Sequence, residues 1–244
     1  MIEVRNLCKS FGDRHILDKM SVTIRDGELF SVIGPSGMGK STFIKCLIRL
    51  IAPDSGEIIV DGEDIASTSD EFRLARIRRK FGYLFQEGAL FDSMNVFENV
   101  SFGLKYLTDI PKSEYPKIVR EKLALVGLKG VENLKPAELS GGMKKRVALA
   151  RSIAVEPKYI LYDEPTTGLD PVMTGMVRDM ITDMRDKIGV TSVVVTHDLK
   201  LALNISSRVA MMSGGRFVEC SAPDSFRTSP NPVVQEFMRI SGLE

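Results

Sequence analysis

The stretch Gly34-Pro35-Ser36-Gly37-Met38-Gly39-Lys40-Ser41-Thr42 constrains this chain more than any other feature. From Gly34 to Ser41 it fits G-x-x-x-x-G-K-[ST]. The apolar run Leu29, Phe30, Val32 and Ile33 leads into it, and Phe43, Ile44, Leu47, Ile48 and Ile51 follow at helical spacing. Strand, glycine loop and helix form the context in which such a pattern cradles phosphate, whereas a chance glycine turn needs no such flanks. Glycines let backbone N–H groups approach phosphate oxygens, and a helix N-terminus adds partial positive charge. Lys40 is expected to reach the β and γ phosphates of a nucleotide, Ser41 to hold Mg²⁺, and Thr42 to contact an α-phosphate oxygen.

Such a loop needs a carboxylate partner. Tyr159-Ile160-Leu161-Tyr162 reads as a buried strand that delivers Asp163 and Glu164 to the sheet edge where α/β folds place ligands. Asp163 is expected to support Mg²⁺, directly or through water. Glu164, one residue on in an extended chain, points elsewhere and suits a general base acting on water. A pair of acids capping a helix is the bland alternative. Residues 191–196 form another apolar strand, ending at His197-Asp198, a position that favours a γ-phosphate contact over a structural histidine. His15 has no comparable setting and reads as a surface residue.

A second anion-binding device lies about a hundred residues beyond the first. Leu139-Ser140-Gly141-Gly142-Met143 precedes a helix beginning Lys144-Lys145-Arg146, so Ser140 is placed to cap it while N–H groups face an anion. One loop already serves the γ phosphate of its own chain. A second is most useful if it serves another nucleotide, an arrangement that a symmetric dimer supplies.

Taken in order, these segments resemble the nucleotide-binding subunits of ABC transporters over nearly the whole chain. The resemblance rests on Phe11 where an aromatic stacks on adenine, the loop Gly34 to Thr42, Gln86 after a strand, the LSGG segment at 139–142, Asp163-Glu164, the turn Gly168-Leu169-Asp170, and His197. It implies a P-loop NTPase of α/β class, with a RecA-like core, an N-terminal antiparallel β flank and an inserted helical subdomain. It also implies MgATP hydrolysis. In this role Gln86 senses Mg²⁺ and the water and links the site to a permease, Ser140 and Gly142 bind the partner subunit's ATP, and Asp170 lies at the dimer interface. Met143 departs from the glutamine common in the family, and Phe11 replaces the commoner tyrosine, a mild exchange because stacking needs only the ring face. A narrower resemblance, to Mla-type lipid-asymmetry or organic-solvent-resistance ATPases, rests on residues 85–94, on Met143 and on residues 162–171. A lipid cargo, membrane permease subunits and a lipid-binding periplasmic component are what that resemblance implies.

The organisation agrees with one α/β unit. Short β-like runs at 22–24, 29–33 and 58–60 open the chain; helical stretches such as 119–126 and 143–154 dominate from about 87 to 155; and short apolar runs at 159–162, 192–195 and 209–212 alternate with helices thereafter. A single domain is expected, with its core at 1–86 and 156–244 and a helical subdomain at 87–155. Hydrophobic residues at 43% and charged residues at 27% are ordinary for a packed domain of 244 residues.

Thirty-three basic against 32 acidic side chains give a net charge of +1, so no global field draws the chain to nucleic acid or an acidic membrane. The basic run Arg73, Arg76, Arg78, Arg79 and Lys80 reads as a solvated helix face. Cys8, Cys46 and Cys220 are odd in number and form no CxxC pair, as expected of reduced cytosolic thiols. The chain opens with a strand-like alternation instead of a signal peptide and has no apolar run long enough to span a bilayer, so a place on the inner membrane face is expected through a partner. The aromatic and methionine cluster at 81–102 suits either core or a groove receiving a partner helix. Rival readings are a soluble ABC protein acting on ribosomes or nucleic acid, a transporter ATPase for a non-lipid cargo, and an ATP-gated clamp. Single-domain length, without a coiled-coil insertion, disfavours the first of these, and Glu164 disfavours the clamp.

Overall fold

In the computed structural model, residues 1–86 and 88–243 are described. Glu87, the first residue of the expected helical subdomain, and Glu244, the last of the expected core, lie outside the described residues. The chain divides into two compact units, Met1–Arg78 with Ile181–Glu244, and Arg79–Met180. In chain order the first unit supplies β1 (Ile2–Phe11), β2 (Arg14–Ile24), β3 (Leu29–Ile33), α1 (Lys40–Cys46), β4 (Ser55–Val60), β5 (Glu63–Asp64) and α2 (Glu71–Arg78). The second supplies β6 (Phe81–Leu84), α3 (Val96–Leu107), α4 (Tyr115–Leu125), α5 (Gly141–Ile153) and β7 (Tyr159–Asp163). Helix α6 (Pro171–Ile188) carries the division, after which β8 (Thr191–Thr196), α7 (Leu199–Ile205), β9 (Arg208–Ser213), β10 (Arg216–Ser221), α8 (Pro223–Arg227) and α9 (Pro232–Ile240) complete the first unit.

Two sheets build the first unit. The order β2-β1-β4-β5 is antiparallel throughout, the flank expected from the alternating N-terminal pattern. In the other sheet β3 runs parallel to β8 on one side and to β9 on the other, and β10 closes the edge antiparallel to β9. Every residue of β3 and β8 is buried, which explains why both read as unbroken apolar or hydroxyl runs instead of alternating ones. One face of this sheet is covered by α7, α8 and α9, through Leu199, Ala202, Leu203, Phe226, Val234 and Met238.

Helix α1 is shorter than the apolar spacing predicts. It ends before Ile48 and Ile51 because Arg49 enters the left-handed region (φ 55), its N–H bonding Cys46 O while Leu50 N–H reaches back to Lys45 O. This paired closure satisfies the last carbonyls of the helix. The Arg49 guanidinium is itself fixed, donating to Ile65 O and Thr68 O, each at 2.8 Å. The nearby basic run is partnered as well: Arg76 pairs with Glu63, and Arg78 donates to the carbonyls of Ile48 and Arg49.

In the second unit β6 and β7 are parallel, and α3, α4 and α5 pack on one another. Asn95 and Glu98 form a reciprocal cap at the start of α3. The buried Asn99 side chain holds the preceding loop, accepting from Phe91 N and donating to the carbonyls of Phe91, Met94 and Asn95. Among the described residues, no helix is long and apolar enough to cross a membrane.

Candidate functional site

The first unit positions the phosphate loop by sheet register. Ile33, the last residue of β3, pairs with Thr196 of β8 and with Met211 of β9. Gly34 and His197 therefore leave the same edge of the sheet, where parallel strands deliver ligand-binding loops. Two glycines are required by space. Gly34 has φ 151, and a Cβ there would lie 2.5 Å from the Met212 carbonyl oxygen; at Gly39, φ 98, it would lie 2.6 Å from Ile16 Cγ2. The loop is thus seated between β2 and β9, with no room for a side chain at Gly34 or Gly39.

Lys40 opens α1 and is 4% exposed, its ammonium donating to Gly34 O at 2.8 Å and Pro35 O at 3.1 Å. Pro35, Ser36 and Gly37 form the exposed rim, while Met38, Ser41 and Thr42 are half-buried. His197 is exposed just beyond β8, followed by Asp198, whose carboxylate caps α7 by accepting from Leu201 N at 2.9 Å. Phe11 is 51% exposed, with Lys9 Nζ 5.3 Å from its ring centroid. His15 is exposed, its Nδ1 2.9 Å from Ser10 Oγ.

The second unit gathers the carboxylates. Buried strand β7 ends at Asp163, and Leu84 of β6 pairs with Tyr162, so the exposed Gln86 leaves β6 at the end that carries Asp163 and Glu164. The Tyr83 hydroxyl donates to Asp163 Oδ2 at 2.9 Å. Burial, reinforced by that carboxylate, pushes the Tyr83 phenol far above its usual range and keeps it a donor. Glu164 departs from the expected extended conformation. It sits at φ 49, the left-handed region, because the strand stops at Asp163 and the chain turns at once. Thr167 Oγ1 lies 3.2 Å from Glu164 Oε2, and Thr167 N–H returns to Glu164 O at 3.3 Å.

Ser140 is the N-cap of α5, accepting from Met143 N at 3.2 Å. Gly141 is exposed and Gly142 buried, and a Cβ on Gly142 would fall 2.0 Å from Met173 Cε. Asp170 Oδ1 accepts from Met173 N at 2.9 Å, fixing the start of α6. The Lys145 ammonium, 9% exposed, donates to Pro165 O at 3.1 Å and Thr167 O at 2.7 Å. Burial pulls its pKa down, opposed by the charge of Glu164.

Tyr83, Lys145, Thr167 and Met173 are functional neighbours that motif reading passes over. Lys145 carries a visible signal, since it shares the helix face of Gly142, Ala148, Leu149 and Ser152, where a lone cation has to be buried and bonded.

These residues fit a phosphate-bound divalent cation. Among the described residues no group of three His, Cys, Asp or Glu side chains gathers to cage a metal. Mg²⁺ does not need one, because it takes one or two protein oxygens together with substrate phosphates. In the second unit the buried carboxylate held by Tyr83, and in the first the half-buried Ser41 directly after the cradle, are each the kind of oxygen donor such an ion uses.

Comparison with known proteins agrees with this geometry. The ABC transporter family profile matches residues 17–167. The probable ribonucleotide transport ATP-binding protein mkl of Mycobacterium tuberculosis (strain H37Rv) is 45% identical over 97% of the chain, which spans 66% of that protein. The intermembrane phospholipid transport system ATP-binding protein MlaF of Escherichia coli (strain K12) is 40% identical over 98% of the chain and 88% of its own length. Among solved structures, the dimeric post-hydrolysis state of the ATP-binding cassette MJ0796, bound to ADP and Pi, superposes with a TM-score of 0.83 at 32% identity, covering 91% of this chain and 99% of that one. A cradle closed on a buried lysine, a strand delivering two acids, and relatives that align along nearly the full sequence have one common explanation: the chain belongs to the ABC transporter family, in its ATP-binding cassette.

Proposed function

We propose that this chain hydrolyses MgATP and energises a membrane permease that moves phospholipid. The observation that carries the reading is the loop at 34–42, in which Gly34 and Gly39 sit where glycine alone fits and Lys40 is buried. Its residues 34–39 and Thr42 hold the phosphates, Lys40 neutralises β and γ oxygens, and Phe11 stacks on the adenine. Ser41, Gln86 and Asp163 hold Mg²⁺, which when bound neutralises phosphate charge. Glu164 polarises the attacking water as general base, His197 contacts the γ phosphate, and Gln86 reports the occupied site to the permease. Ser140, Gly141 and Gly142 serve the nucleotide of a second copy, with Asp170 at the interface between copies. In this assignment residues 87–155 are the inserted helical subdomain of a single cassette.

The two relatives carry names that point to different cargos, ribonucleotide and phospholipid. We take phospholipid because residues 85–94 and Met143 resemble the lipid-transport ATPases. The exposed faces of Phe91, Tyr106 and Leu107 would receive a permease helix. In this reading the chain sits at the inner face of the membrane, in a system that includes a lipid-binding periplasmic component.

Phosphate release by the purified chain, compared with Lys40→Ala, tests the enzymatic reading. Turnover should fall to background in a variant whose circular dichroism is unchanged, whereas near-normal hydrolysis would overturn it. For cargo, the chain isolated with its permease in lipid vesicles should move phospholipid with ATP, and movement of nucleotides alone would overturn that assignment.

A further inference from the structure

A buried ammonium is costly unless it is fully engaged, so the partners of Lys145 deserve a functional explanation. Its acceptors Pro165 O and Thr167 O both belong to the turn that follows Glu164. That turn determines where the Glu164 carboxylate lies. Thr167 bonds Glu164 through both its N–H and its hydroxyl, and the Glu164 backbone is held in the left-handed region, a conformation that persists only where its surroundings impose it. The same helix, α5, begins at the Ser140 cap and packs Gly142 directly on Met173, just beyond the turn at 168–170. Helix α5 thus grips the 164–173 segment at two places, one turn of helix apart.

We propose that Lys145 is a positioning residue, which ties the carboxylate of Glu164 to the Ser140-Gly142 turn of the same chain. A nucleotide seated on that turn by the partner copy then sets Glu164 for the nucleotide in the chain's own P-loop. The inference rests on the proposed ATP-dependent pairing. It adds the assignment of the coupling between the partner's nucleotide and Glu164 to a single ammonium. Lys145 acts through the carbonyls of Pro165 and Thr167, so its loss should act on turnover and spare nucleotide affinity.

The test compares Lys145→Met and Lys145→Arg in steady-state ATP hydrolysis by the full chain. Lys145→Met removes both donors at similar volume and should lower kcat roughly a hundredfold, the effect of misplacing a catalytic group by about 1 Å. KM for ATP should stay within about twofold. Lys145→Arg, which keeps a charged donor, should recover most of the loss. Lys145→Met in a Glu164→Gln background should still pair on MgATP, since the nucleotide contacts remain. Unchanged kcat in Lys145→Met would overturn the proposal, as would loss of pairing in the double variant where Glu164→Gln alone pairs, or failure of Lys145→Arg to recover activity. If Glu164→Gln alone does not pair, the dimer reading fails and takes the inference with it, whereas pairing by Glu164→Gln together with an unchanged kcat in Lys145→Met overturns the inference alone. Should Lys145→Met not fold, Lys145→Gln, whose shorter amide cannot span both carbonyls, carries the same comparison.

Discussion

The Tyr83 hydroxyl donates to Oδ2 of Asp163 over 2.9 Å, so a side chain on β6 orients the carboxylate at the end of β7. In the proposed site this is an outer-shell contact to a Mg²⁺-supporting acid, and such partners typically contribute about 10- to 100-fold in metal affinity. Tyr83→Phe keeps the ring and its packing on Phe85, 4.2 Å between centroids, and removes only the donor. Half-maximal ATP turnover should then require roughly tenfold more Mg²⁺, or beyond, in a Mg²⁺ titration at saturating ATP. An unchanged titration would detach Tyr83 from metal binding.

Gly34 and Gly37 both occupy positive φ, at 151 and 81, but they differ in what surrounds them. A Cβ at Gly37 meets nothing within 4 Å, whereas at Gly34 it meets the Met212 carbonyl at 2.5 Å. Backbone strain alone costs about 1–3 kcal/mol, and a contact with backbone cannot be relieved by a rotamer change. Gly34→Ala should therefore lose more stability in urea unfolding than Gly37→Ala and should also weaken ATP binding. Equal losses would mean that the loop is not seated against β9 as described.

Much of this was legible because it is local. The loop at 34–42, the acids after β7 and the Ser140 cap are short-range patterns whose flanks declare strand or helix. The antiparallel flank followed from alternation, and the buried strands β3, β7 and β8 from continuous apolar runs. Contacts distant in sequence were not legible. Tyr83 and Asp163 are 80 residues apart, and Lys145 reaches carbonyls 20 and 22 residues on. The early end of α1 depends on Arg49 bonds to residues 65 and 68, so apolar spacing alone overruns it. The left-handed turn at Glu164 breaks the local rule that a non-glycine residue avoids positive φ, as strained positions at functional sites do.

Burial on α1 pushes the Cys46 thiol from 9.0 up to about 11. The folded chain holds this proton more tightly than the unfolded chain. Its contribution to stability is complete below the unfolded value and is lost as pH rises toward the folded one. Between pH 9 and 11 the wild type should lose up to about 1.4 kcal/mol per pH unit more than Cys46→Ala, read from urea unfolding at several pH values. Parallel slopes for the two proteins would contradict a protonated thiol in the fold.

The central claim is that ATP joins two copies of this chain, each nucleotide lying between Lys40 of one and Ser140 with Gly142 of the other. Glu164→Gln keeps side-chain size and hydrogen bonding but cannot accept the water's proton, so ATP should remain bound and uncleaved. A γ phosphate shared by two chains stabilises the pair only while it is intact. Size-exclusion chromatography with light scattering on Glu164→Gln should give a dimer with MgATP and a monomer with MgADP or no nucleotide, and Ser140→Arg added to it should abolish the dimer. A monomer under all three conditions would contradict the account.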